Sequence, residues 1–134
     1  MNKQTRIFVP ISVGELIDKV TILSIKMQKL SDIKKTSVRK ELIELESPMK
    51  KILNEFPIIK ELARDLMLVN SSLWDLENQR ADLISTFGSL EEIGAIAKRI
   101  AMLNYDRHSI KADINRITKS EIVEEKSYGI MYED

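Results

Sequence analysis

Arg107 stands where its segment calls for a hydrophobic residue. The stretch "LNYDRHSIKADIN" carries Leu103, Ile110 and Ile114 at helical spacing, and the same beat continued falls on Arg107. A guanidinium on an apolar seam must find an anion or reach water past its neighbours. Asn104, Lys111 and Asn115 lie three, four and eight residues from it, which stacks them along one side of the same helix. Such a set can hold an anionic ligand by charge and hydrogen bonds. It can equally close on itself as a buried network that fixes register.

Other chemistry is poorly represented. His108 is the single histidine and there is no cysteine, so zinc pairs, thiol catalysis and disulfides are not expected. No Glu-x-x-His pattern supports a di-iron bundle, and no glycine loop is built to cradle phosphate. Ser71 and Ser72 lack the partners of an activated nucleophile. No cofactor is expected. Arg80 also falls on a seam, but close to Gly88, where its head can reach water.

The elements that position these residues follow from apolar spacing. The chain has 134 residues with 43% hydrophobic content, enough for one domain with a proper core. Four glycines and three prolines leave room for long helices. Leu16, Val20, Leu23, Met27 and Leu30 mark a first helix over about 13–30, with Ser12 and Glu15 as a capping box and "SDIKK" as its exit. Val38, Leu42, Leu45, Met49, Ile52 and Phe56 mark a second. Pro48 either kinks it or restarts it at Ser47, and Pro57 ends it. Leu62, Leu66, Val69, Leu73, Leu76, Leu83 and Phe87 mark a third helix, stopped by Gly88. Ser89 and Glu92 cap a fourth, carried by Ile93, Ile96, Ile100, Leu103, Ile110, Ile114 and Ile117.

The fold expected is therefore all-α: an antiparallel bundle of about four helices in a single domain, 1–134. An extended arm covers 1–11, the bundle 12–118 and a C-terminal tail 119–134. The third and fourth helices are each roughly 30 residues, about 45 Å, and the first two clearly shorter. The long pair should overhang and be covered by a second copy, with Leu83, Phe87, Ile93 and Ile96 in the contact. At the ends, "RIFVPI" is extended, and Tyr128, Ile130 and Tyr132 alternate, so the two tails either pair as short strands or form ordered coil.

Counting from the reversal at Gly88 sets levels. Arg107 falls opposite Asn70, and Asn104 opposite Leu73 and Trp74. Glu15, Asp18 and Lys19 come level with Lys111 and Asn115, and the tail returns Glu124, Glu125 and Lys126 to the same end. Glu15 or Asp18 should meet the Arg107 charge, with Asn70 adding a hydrogen bond. Trp74 reads as a core or interface residue before a stacking platform.

Twenty-one basic and twenty-one acidic residues cancel, so no nucleic acid is expected as partner. The N-terminal "MNKQTRIFVPISVGELIDK" has no apolar leader, and no run spans a bilayer, so the reading is a soluble cytoplasmic protein with no membrane contact.

"VPISVGELIDKVTILSIK", "NSSLWDLE", "LNYDRHSIKADIN" and "EEKSY" resemble, in order, the motifs of a bacterial family of unknown function. Its members are often encoded near glycosyltransferase and surface-polysaccharide genes. Carried over by position, the resemblance marks Gly14, Glu15, Asp18, Lys19, Asn70, Trp74, Glu77, Asn104, Arg107, Lys111, Asn115, Glu124, Glu125, Lys126 and Tyr128. The family's arginine follows an isoleucine after the Trp-x-x-Glu block. Arg80 comes one place early and is not carried over. The resemblance implies no reaction. Two functional classes stand: a non-catalytic interaction module forming a homodimer, or a binding protein or enzyme for a small anionic ligand such as a sugar phosphate or nucleotide sugar.

Overall fold

A computed structural model describes residues 3–125. It contains four helices: α1 (Val13–Lys29), α2 (Asp32–Glu55), α3 (Ile59–Ser85) and α4 (Leu90–Thr118). Ser12 caps α1, its hydroxyl accepting from the Glu15 amide at 3.0 Å. Ser89 caps α4 in the same way, accepting from the Glu92 amide at 3.1 Å. Each such cap satisfies a donor the helix cannot, worth about 1 kcal/mol.

Three expectations need correction. "SDIKK" is not an exit, because Ser31 is the N-cap position of α2 and Asp32 lies in its first turn, where a carboxylate meets the positive end of the helix. The α1–α2 connection is thus very short. Pro48 neither ends nor restarts α2, which is continuous across it. Proline removes only the hydrogen bond back to the Glu44 carbonyl, and both residues are exposed, so water can serve that carbonyl. Finally, α2 has 24 residues against 27 for α3, so only α1, with 17, is clearly short.

α3 ends in an arrangement that joins Gly88 to Leu83. The Gly88 amide donates to the Leu83 carbonyl at 2.7 Å and the Phe87 amide to Ile84 at 3.4 Å. Two such bonds close a Schellman-type end, whose left-handed position glycine usually fills. Here Phe87 takes it, at φ 57, and glycine follows one place later. A side chain in that conformation costs about 1–2 kcal/mol.

α1 is the central helix. It packs against α2, α3 and α4, and α3 packs along α4. Its sequence allows this, since Leu16, Ile17, Val20, Thr21, Leu23 and Ile25 are buried around most of its circumference. Ile17, Ile59, Leu66 and Ile114 form one core, flanked by Met49, Ile52 and Leu53 of α2 and by Phe56 just after it. Leu73, Leu76 and Ile100 form a second between α3 and α4. Beyond it the hairpin is bare: no residue between Glu77 and Arg99 is buried. Ile84 is 58% exposed, Phe87 96% and Leu90 88%.

Among the described residues of the N-terminal arm, 3–11, none lies in a strand. Arg6 pairs with Glu44 at 2.7 Å on the surface and lies over the Phe8 ring, 5.5 Å from its centroid. Exposed pairs of this kind add little stability. Residues 119–125 also form no strand, and Tyr128, Ile130 and Tyr132 lie outside the described residues.

Candidate functional site

Asp18 is the centre of the polar end. α1 is surrounded, so a residue on its inner side has no route to water, and Asp18 is 0% exposed. A buried carboxylate must be paired. Arg107 of α4 supplies the pair side-on: Nε donates to Oδ1 at 2.9 Å and Nη2 donates to Oδ2 at 2.5 Å. This bidentate geometry is the strongest form a carboxylate–guanidinium contact takes. From α3, Asn70 donates its amide to Asp18 Oδ1 at 2.9 Å and to Thr21 Oγ1 at 2.8 Å. The Thr21 hydroxyl in turn donates to the Asp18 backbone carbonyl at 2.7 Å. Three helices are thereby tied through one carboxylate.

Burial pushes the Asp18 pKa up, but the hydrogen bonds from Arg107 and Asn70 and the positive charges of Arg107 and Lys111 outweigh it. The carboxyl is held below its ordinary value of 3.8. It is ionised at neutral pH.

A second layer lies one turn outward. Lys111 Nζ contacts Glu15 Oε2 at 2.6 Å, with Asp18 and Glu124 oxygens each at 3.9 Å. The Ser12 hydroxyl donates to Glu124 at 2.9 Å, so the segment after α4 is fastened to the start of α1. The Val13 amide donates to the Ser120 hydroxyl at 3.1 Å, and the Gly14 amide to Asn115 Oδ1 at 2.7 Å. Gly14 is needed there for space. A Cβ would stand 2.7 Å from the Lys111 carbonyl oxygen and 3.0 Å from Asn115 Oδ1.

The convergence expected from sequence levels is thus present for Glu15, Asp18, Asn70, Arg107, Lys111, Asn115 and Glu124. Between the two candidates for Arg107, Asp18 takes the guanidinium and Glu15 takes Lys111. Lys19 points the other way, to Glu41 of α2 at 3.4 Å. Glu125 is exposed and lines a separate cavity of about 380 Å³ with His108, Arg116 and Ser120. Lys126 and Tyr128 lie outside the described residues. Arg80 is part-exposed and pairs with Glu77 at 2.5 Å, consistent with a head that reaches the surface. Thr21, Ser12 and Ser120 were not foreseen as site residues. Thr21 sits three residues from Asp18, a spacing that could have flagged it.

Trp74 and Asn104 belong to a groove beside this network. It has a volume of about 370 Å³, with Ile22, Ile25 and Leu73 among its apolar lining and Asn70, Trp74, Glu77, Asn78, Asn104 and Arg107 among the rest. A smaller cavity of about 160 Å³ adjoins it, sharing Asn104 and Arg107 and adding His108 and Lys111. The larger volume lies in the range of small-molecule sites. The polar end is therefore a closed ion-pair centre and an open concavity side by side. Among the described residues, no group of His, Asp and Glu is placed to hold a metal ion, and no helix is long and apolar enough to cross a membrane.

The model of a family of unknown function, DUF6165, matches residues 7–132, nearly the whole chain. The chain belongs to that family. No curated protein and no solved structure matches it.

Proposed function

We propose that this member of the DUF6165 family is a non-catalytic helical interaction module that works as a homodimer. One observation carries the reading: the outer half of the α3–α4 hairpin has no buried residue, and it ends in Phe87, 96% exposed and in a strained left-handed conformation. An apolar surface of this kind is stabilised by cover. A second copy suits it. The chain has zero formal net charge, so copies do not repel as a whole. Glu91 and Glu92 lie a heptad from Lys98 and Arg99 on the same exposed side of α4, so antiparallel hairpins would set acid against base. Leu83, Phe87, Ile93 and Ile96 form the contact. The paired state of the ionisable groups at the polar end favours a binding role over turnover. A bacterial cytoplasmic setting near surface-polysaccharide synthesis is part of this reading and rests on the resemblance of the motifs.

Sedimentation velocity at micromolar protein tests it. The native chain should run as a dimer, and Phe87→Glu should run as a monomer with unchanged helical circular dichroism. A native chain that is monomeric at every concentration removes the proposal.

The groove favours a second reading, binding of a small ligand at the polar end. Its volume of about 370 Å³ and its mixed lining support it.

A further inference from the structure

We infer that the groove between α1, α3 and α4 binds an uncharged ring with one apolar face and hydrogen-bonding groups around its rim. The inference rests on the reading of the groove as a ligand site and names the ligand's chemistry. It departs from the anionic ligand that the residue types alone suggested.

Charge decides the class. Each cation at or beside the groove has a carboxylate partner: Arg107 has Asp18, Lys111 has Glu15 and Arg80 has Glu77. Glu124 also approaches Lys111, at 3.9 Å. The carboxylates at least balance the cations, so an arriving phosphate meets no net positive field and would have to displace a buried, bidentate partner from Arg107.

The amides are in the opposite state. Asn78 and Asn104 line the groove, and neither side chain is engaged by another described residue. Each offers a donor and an acceptor to a neutral partner. Trp74, half-buried on the same wall, supplies an indole, and Ile22, Ile25 and Leu73 an apolar lining. Apolar and aromatic walls with a few placed amides select a flat or puckered ring that stacks by one face and bonds at its edge. A pyranose and a nucleoside share that chemistry.

Trp74 is the only tryptophan, so its fluorescence reports the groove directly. The probes are methyl glucoside and N-acetylglucosamine, adenosine and uridine, and the phosphate esters of glucose and adenosine. One uncharged class should change Trp74 emission saturably, at millimolar affinity or better. Its phosphate ester should bind within about threefold of the parent. Asn78→Ala and Asn104→Ala should each weaken binding about 2–10-fold, the loss of one neutral hydrogen bond, with melting unchanged. Asn78 is exposed, so its replacement leaves the fold intact. Two results overturn the inference. If the phosphate esters bind more than about tenfold tighter than the uncharged parents, the groove is a ligand site but the class is wrong. If no probe gives a saturable change, the ligand-site reading falls with it.

Discussion

Arg107→Met lowers stability at pH 7 by about 3–5 kcal/mol, the usual cost of stranding a buried charge. Methionine fills the seam as well as the arginine stem does, so packing is not the cause. The cause is Asp18, 0% exposed and left with Asn70 and the more distant Lys111. The Arg107 side chain is 30% exposed, and water entering through its place relieves part of the penalty, which favours the lower half of the range.

The same substitution changes the pH dependence, and the sign follows from Asp18. In the native chain its pKa is depressed in the folded state. Its contribution is therefore full above the ordinary carboxylate range and is lost as pH falls through the depressed value. Without Arg107, burial dominates and the folded pKa rises above the unfolded one. The folded variant then gains by taking up a proton, so its deficit is largest at neutral pH and shrinks toward pH 4. Urea melts of both proteins at several pH values measure this. A deficit independent of pH would mean that Asp18 is not the group stranded.

Gly14→Ala destabilises by about 1–3 kcal/mol, the range for forcing atoms into a packed contact. The added methyl would stand 2.7 Å from the Lys111 carbonyl oxygen, which is backbone and cannot rotate away. α1 and α4 must separate at the level where Asn115 accepts from the Gly14 amide. Elsewhere in a helix interior the same change is stabilising, because alanine has the higher propensity. Chemical denaturation decides the sign, and a neutral or stabilising result would show that the two helices slide apart without loss.

These effects bear on what the sequence made legible. Apolar spacing gave the four helices, and the Ser12 and Ser89 caps were readable because a hydroxyl three residues before a glutamate has a local reason to be there. Arg107 was legible as an anomaly for the same reason: a charge on a seam breaks a local rule. Asp18 was legible only as one of two carboxylates. Its burial depends on α1 being covered on several sides, and the single stripe Leu16–Val20–Leu23 understated that. Ile17, Thr21 and Ile25 are buried too, on faces the stripe left to solvent. The second helix shows the converse. Its apolar beat is regular, yet Val38 is its only buried residue, because α2 packs chiefly on α1 at the edge of the bundle. Pro48 and "SDIKK" look like local punctuation, but Pro48 is exposed within a continuous helix and Ser31 stands at the N-cap position of α2. The groove was not legible, since a concavity is a property of three helices together.

The Asp18–Arg107 pair, with Asn70, ties α1, α3 and α4 together beside the groove they line. A double-mutant cycle of Asp18→Asn and Arg107→Met in urea at pH 7 measures the strength of that tie. Strong coupling is expected, with the double variant more stable than the sum of the single losses requires by about 1.5–3 kcal/mol, since removing both partners strands neither. Losses that add to within about 0.5 kcal/mol would contradict it.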